Sequence, residues 1–184
     1  MKIKGWRKTF HANRNHKRAG VTIHVLNNID FKSKTIGRDK VGHYLMIKGS
    51  IQQEDITILN IYAGNMGAAP RFIKKILLEL KRDTGPNTII PGEFNNPLST
   101  LGISSRQKIN KETSDLICTI DQMDLIGIYR TFHSRAIEYT FFSSVYGLFS
   151  RTDHTLGYKT SLKTFKQIEI ISSIFSDHNG IKLE

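Results

Sequence analysis

Cysteine is almost missing from this sequence: a single residue, Cys118, stands among 184, so no internal disulfide can form. Its setting, Leu116-Ile117-Cys118-Thr119-Ile120, reads as helix core rather than as a reactive thiol. Long apolar runs are missing too. No stretch approaches the roughly 18 residues of a membrane span. The opening Met1-Lys2-Ile3-Lys4-Gly5-Trp6 carries positive charge without the apolar stretch of a secretory signal. These absences exclude a disulfide scaffold and a helical membrane protein, and they imply an intracellular chain, nuclear or cytoplasmic, that is not secreted. Acidic residues are scarce, with 16 Asp and Glu against 27 Lys and Arg and a net charge of +11. Such an excess favours polyanions, because each neutralised phosphate releases condensed counterions. Nucleic acid is the leading partner on this reasoning, and an anionic membrane surface is the alternative.

What is present suits one folded domain over residues 1–184. Hydrophobic residues make up 39% of the chain, enough for a core, and no internal repeat or low-complexity segment interrupts it. The basic stretch Lys2 to Arg18 is either a strand and loop or a solvated arm. Val21, Ile23 and Val25 alternate with Thr22, His24 and Leu26, which predicts a buried strand. His43–Ile47 and Ile56–Tyr62 read as two further strands, separated by the turn-like Gly49-Ser50 and the polar Gln52 to Asp55. From Pro70 to Arg82, Phe72, Ile73, Ile76, Leu77 and Leu80 share one helical face and the lysines take the other. Thr88–Ile90 is a short strand ending at Pro91-Gly92. A second helix covers Lys111–Met123, with Leu116, Ile117 and Ile120 inward. Beyond it, Leu125–Tyr129, Tyr139–Phe142, Thr155–Leu156, Ile168–Ile171 and Ile181–Leu183 are short apolar pieces that read as strands. Strands with interspersed helices predict an α/β or α+β architecture.

Four polar clusters fall at the ends of these strands: Asn60 to Asn65, Pro91 to Asn95, Arg151 to His154, and Ser176 to Asn179. Functional side chains collect where rigid elements hand over to loops. Each cluster alone also reads as an ordinary turn, Tyr62 as a half-buried sheet residue, and His154 as structural.

Taken together and in this order, the clusters resemble the exonuclease III/DNase I-like endonuclease/exonuclease/phosphatase superfamily. Within it, the sequence is most similar to the endonuclease domain of mammalian LINE-type (non-LTR) retrotransposons. The resemblance is carried by Lys2–Lys8 (KIKGWRK), Gly42–Tyr62 (GHYLMIKGSIQQEDITILNIY), Pro70–Lys74 (PRFIK), Glu138–Ser143 (EYTFFS) and Ser176–Glu184. It implies an α/β fold, a four-layer sandwich of two packed sheets with helices outside, incomplete at its N-terminus. It implies a Mg²⁺-dependent DNA endonuclease that hydrolyses phosphodiesters, working as a monomer on DNA. His178 matches the histidine on the scissile phosphate and Asp153 the carboxylate that fixes its tautomer. Tyr62 and Asn95 match donors to phosphate oxygens, Glu93 the position of the water-activating carboxylate, and Asp177 a carboxylate near the metal. DNA contacts are implied for Asn65, for Arg106 and Lys108 ahead of the second helix, and for Ser150 and Thr152 of a surface hairpin over Ser143–Thr152. The superfamily also holds phosphoinositide phosphatases and sphingomyelinases, but the long matched segments are of the retrotransposon type.

Three departures predict weak cutting or a DNA-binding remnant without catalysis. The family's first strand, with its Asn, and the Gln-Glu-Thr-His segment with the metal-binding Glu have no counterpart here. Glu93 stands where the family has Asp, and Pro91 lies in a strand expected to be interior, where it cannot donate a ladder hydrogen bond. Gly64 replaces a family Pro, which loosens the turn after Tyr62.

Overall fold

The computed structural model describes residues 6–13, 20–64, 68–98, 109–136, 138–144, 147–174 and 176–184. Asn65, Arg106 and Lys108 lie outside the described residues.

The centre is a six-stranded mixed sheet in the order β3-β4-β5-β6-β10-β7. Its strands are β3 (Phe31–Arg38), β4 (Tyr44–Ile51), β5 (Glu54–Tyr62), β6 (Thr88–Glu93), β7 (Leu125–Gly127) and β10 (Asp153–Tyr158). β4 and β5 form a hairpin whose turn is Gln52-Gln53, both with positive φ (51° and 72°). A two-residue turn with φ > 0 at both positions matches the right-handed twist of the flanking strands. Gly49 and Ser50, expected to form a turn, are instead strand residues. Gly49 is required for another reason: a Cβ there would sit 2.6 Å from the Lys32 carbonyl and 2.6 Å from the Phe31 ring.

β5 and β6 are parallel, joined over the sheet by helix α1 (Ala69–Glu79) with Pro70 in its first turn. The amphipathic segment is helical as expected, and Ile73, Ile76 and Leu77 are buried. Helix α2 (Lys111–Gln122) begins at Asn110, whose side chain accepts the Thr113 amide at 2.8 Å, an N-cap that satisfies a donor the first helical turn leaves open. α1, α2 and one sheet face (Met46, Leu59, Ile61, Ile90, Leu156) enclose the largest core, with Phe94 fully buried in it. Cys118 does not join this core; it is exposed. Leu116 and Ile120 set the inward face, and a residue two positions on from Leu116 points about 200° away.

The opposite sheet face packs against a second β layer. β1 (Trp6–Asn13) and β2 (Gly20–Leu26) form an antiparallel ribbon, so the basic N-terminal stretch is a strand over residues 6–13. Ala12, Val21 and Val25 meet Phe31, Leu45 and Ile47 of the sheet. Leu45 and Ile47 point one way and Met46 the other, the period-two alternation that lets one strand serve two cores. A second ribbon, β11 (Ile168–Ile171) with β12 (Gly180–Leu183), packs near a short helix α3 (Ile128–Phe132). The apolar segment expected as one strand over Leu125–Tyr129 therefore divides: β7 stops at Gly127 and α3 buries Ile128 and Tyr129. β8 (Phe141–Ser143) and β9 (Leu148–Ser150) complete the set as a small hairpin.

Pro91 is interior, as expected, between β5 and β10. The β5–β6 ladder pairs Thr57 and Ile58 with Thr88 and Ile89, then resumes at Ile61↔Gly92 and Tyr62↔Glu93, on either side of the Ile90-Pro91 step. Gly92 is the tightest point, since a Cβ there would lie 2.2 Å from the Ile61 carbonyl oxygen.

Candidate active site

Three of the sequence-selected side chains come together because of strand register. Tyr62 is the last residue of β5, Glu93 the last of β6 and Asp153 the first of β10. The parallel ladder pairs Tyr62 with Glu93, and the antiparallel ladder pairs Glu93 with Asp153. Laterally paired residues point to the same side of a sheet, so Tyr62, Glu93 and Asp153 line one edge of one face.

His178 reaches this edge from the C-terminal segment. Its Nδ1 lies 2.9 Å from Asp153 Oδ2, with the two side chains 28% and 20% exposed. An ionised carboxylate only accepts, so Nδ1 carries the hydrogen and Nε2 is left as the open nitrogen. The histidine is held from several sides. The Phe141 ring lies 4.8 Å from the imidazole at a 47° tilt, and the His178 amide donates to Ser176 Oγ at 3.1 Å. The Asp177 carbonyl accepts the Phe142 amide at 3.0 Å, and the Asn179 amide donates to the Thr140 carbonyl at 2.7 Å. Asn179 Nδ2 also donates to the Tyr139 carbonyl at 3.1 Å.

Asn95 follows β6 with φ of 48°, a left-handed conformation that asparagine tolerates better than most residues. The turn brings its Nδ2 to Glu93 Oε1 at 2.9 Å and to the Gly64 carbonyl at 2.8 Å. Both amide hydrogens are thereby engaged inside the protein. Burial raises the Glu93 pKa above the ordinary carboxylate range; the Asn95 hydrogen bond and His178 oppose this, while Asp153 and Asp177 add to it. The Tyr62 hydroxyl is raised as well, by burial first and then by the Glu93 charge.

Glu93, Asp153 and His178 each offer a ligand atom, and these atoms lie within 4.8 Å of one another. Among the described residues this is the group able to hold a metal ion. Asp177 is exposed and outside that trio, although its charge is felt at Glu93. Thr152 is buried; its carbonyl accepts the Phe94 amide at 2.8 Å and its hydroxyl lies 3.3 Å from Asp153 Oδ2. Ser150 closes β9, and its carbonyl accepts the Thr140 amide at 3.1 Å. His154 has the structural setting expected of it. Its Nε2 lies 2.9 Å from the Asn96 carbonyl, and burial pulls its pKa down to about 4, so it is neutral.

No family model matches the sequence. Solved structures do match over nearly its whole length. The endonuclease domain of TRAS1, a telomere-specific non-LTR retrotransposon, superposes with a TM-score of 0.73 at 17% identity, covering 97% of this chain and 79% of that one. The fold is the DNase I-like endonuclease/exonuclease/phosphatase fold. An AP endonuclease from Leishmania major superposes at 0.76 with 13% identity, covering 99% and 71% of the two chains. The catalytic domain of Xenopus laevis APE2 gives 0.75 with 13% identity over 100% and 76%.

Two residues of this DNase I-like arrangement escaped the sequence reading as individuals. Thr140 is fully buried, and its Oγ1 accepts the amides of both Thr152 and Asp153 at 3.1 Å each. Arg151, also buried, donates through Nε to the Glu138 carbonyl at 3.0 Å and lies over the Tyr129 ring at 4.4 Å. Both pin the chain on either side of the β8–β9 hairpin. Their only signal was membership of the Glu138–Ser143 and Arg151–His154 segments.

Proposed function

We propose that this chain is a metal-dependent DNA endonuclease of the retrotransposon type that hydrolyses phosphodiesters slowly. The observation that carries the reading is the Asp153–His178 pair at 2.9 Å beside a partly buried Glu93. The fold supports it, since the matched structures include a retrotransposon endonuclease domain and AP endonucleases. The matched segments favour a mammalian LINE-type origin. The +11 charge supplies the affinity for a phosphate backbone.

In this mechanism Asp153 holds His178 in the tautomer that presents Nε2 outward, toward the scissile phosphate. The Tyr62 hydroxyl, protonated at neutral pH as any tyrosine is and raised further by burial, donates a hydrogen bond to a phosphate oxygen. Glu93 accepts the proton of the water whose oxygen bonds to phosphorus, the opposite P–O bond breaks, and the leaving oxygen takes a proton from solvent. A carboxylate whose pKa is raised toward neutrality is a better base for that step than an ordinary one. The oxygen atoms of Glu93 and Asp153 suit a hard divalent cation such as Mg²⁺, which prefers oxygen ligands and retains waters, whereas the imidazole nitrogen does not. A cation held by those oxygens would supply neutralisation of phosphate charge and a more acidic water.

Two features make the reaction slow. Glu93 is one methylene longer than the family's Asp, and displacing a catalytic group by about 1 Å lowers rates about 10²-fold. Asn95 spends both amide hydrogens on Glu93 and Gly64, so it must rotate before it can donate to a phosphate. Nicking of supercoiled plasmid tests the reading. Slow Mg²⁺-dependent conversion to open circle, stopped by EDTA and by His178→Ala, is expected. Conversion no faster than the His178→Ala background would leave only DNA binding, the reading that the charge alone favours.

A further inference from the structure

The central sheet ends unevenly at its β7 edge. β7 pairs with β10 only through Gly127↔Leu156, Ile126↔Gly157 and Leu125↔Tyr158, and at Ile128 the chain leaves the sheet to form α3. β10 extends further back. Among the described residues, Asp153, His154 and Thr155 therefore have β6 on one flank and no strand on the other. A cavity of about 150 Å³ lies there, walled by Ile117 and Ile120 of α2, Ile126 and Leu156 of the sheet, and Ile170 and Ile181 of the β11–β12 ribbon. Ile117, whose helical spacing points it inward, is only partly buried because it lines this cavity.

Two arginines line the same cavity, Arg130 of α3 and Arg151 just ahead of β10. Arg151 is 5% exposed. It donates to the Glu138 carbonyl and lies over the Tyr129 ring, but among the described residues it forms no ion pair with a carboxylate. The acids around it are engaged elsewhere: the Glu138 carboxylate accepts the Tyr129 hydroxyl, and Asp153, which also borders the cavity, holds His178. Arg130 donates to the carbonyls of Ser134 and Ala136. Burial first, and then the Arg130 charge, pull the Arg151 pKa down, yet an arginine stays protonated even so. Two like charges thus share one wall of an otherwise apolar space. Buried charge is costly until an opposite charge meets it.

This combination selects an amphiphilic anion. A carboxylate matches the forked donors of a guanidinium. An apolar cavity of about 150 Å³ holds one six-membered ring, whereas sites for drug-sized ligands run to about 300–1,000 Å³, so a nucleotide is too large. We propose that this cavity binds a small organic carboxylate with a single-ring body. Tyr62, Glu93 and His178 do not line it, and Asp153 is its one point of contact with them. The inference goes beyond the endonuclease reading and does not rest on it.

The test follows thermal unfolding of the full chain with benzoate, acetate or benzyl alcohol at equal ionic strength, beside calorimetric titration. Benzoate at about ten times its Kd should raise the melting temperature by about 3–6 °C. Acetate lacks the ring and benzyl alcohol the charge, so each should raise it far less. Ile117→Phe fills the cavity from α2 and should abolish the benzoate effect. Arg130→Gln keeps a polar side chain but removes one charge, and should weaken benzoate about 10-fold. Melts without ligand establish that both variants are folded. Because Asp153 borders the cavity and holds His178, saturating benzoate should also move the His178 ring signals in the proton NMR spectrum. No benzoate stabilisation would overturn the proposal, and stabilisation matched by acetate would reduce it to general anion binding by a chain of charge +11. Equal stabilisation by benzyl alcohol would remove the arginines from the site. Binding that survives Ile117→Phe, or that leaves the His178 signals in place, would put the ligand elsewhere. Absent nicking with intact benzoate binding would sink the nuclease reading alone.

Discussion

Thr140→Val removes one oxygen and leaves the volume almost unchanged, which makes its effect easy to interpret. Thr140 is fully buried, and its Oγ1 accepts the amides of Thr152 and Asp153 at 3.1 Å each. Valine leaves two backbone donors without that acceptor. An orphaned buried donor costs about 1–3 kcal/mol, and the valine also relieves the burial of a hydroxyl. The net loss is therefore about 2–4 kcal/mol. For a chain of this size each kcal/mol lowers the melting temperature by about 2–4 °C, so a drop of roughly 5–15 °C is expected. Thr140→Ser keeps the acceptor and should lose far less, chiefly one buried methyl at about 1 kcal/mol. The nicking assay adds a second readout. Asp153 sits directly on the bond that is lost, so Thr140→Val should slow cleavage by a larger factor than its stability loss would explain, with DNA affinity unchanged. Melting curves of the Val and Ser variants that coincide would refute the assignment of Thr140 as the anchor of Asp153.

Three further predictions concern titration and exposure. Burial holds His154 at a pKa of about 4 against an ordinary 6.5. The unfolded chain therefore takes up a proton that the fold refuses, and stability present above about pH 6.5 is lost as the pH falls toward 4, by about 3 kcal/mol. His154→Gln, which cannot charge but can still donate to Asn96, should show a flatter urea-denaturation profile over that window; an unchanged profile assigns the acid sensitivity elsewhere. Glu93 is shifted the other way, with a folded pKa raised above its unfolded value, so its contribution is present at low pH and lost as the pH rises through the folded pKa. Glu93→Gln should accordingly melt higher than wild type at neutral pH while losing cleavage, and a lower melting point would contradict the desolvated carboxylate. Cys118 is exposed, so a thiol reagent should label the native protein without denaturant and without lowering its melting temperature; labelling that needs urea would return it to the core.

The sequence by itself determined the elements whose periodicity is strong and the clusters that terminate them. Helix α1 was legible because Ile73, Ile76 and Leu77 repeat at helical spacing, and the strand-end positions of Tyr62, Asp153 and His178 followed from short apolar runs meeting polar turns. Where periodicity was weak, the reading failed. Strand β3 was invisible because seven of its eight residues are not buried and Phe31 and Ile36, its two large apolar residues, are five positions apart and show no period of two. It is an edge strand fixed by pairing with β4, not by its own pattern. Cys118 was misplaced because its apolar neighbours outweighed its angular position on the helix. Gly49 looked like a turn, yet its lack of a side chain serves the close approach of Lys32 and Phe31.

Tertiary structure alone decided the site's geometry. Tyr62, Glu93 and Asp153 are far apart in sequence, and only one parallel and one antiparallel register set them side by side. The left-handed turn after Glu93 brings the Asn95 amide onto Glu93 and the Gly64 carbonyl, contacts that no local pattern announces. Thr140 gained its importance only when its hydroxyl, just ahead of β8, met the amides of Thr152 and Asp153. A local sequence encodes propensity and chemistry over a few residues; hydrogen bonds between distant strands are set by how the whole sheet closes. That closure brings Tyr62, Glu93, Asp153 and His178 to one sheet edge.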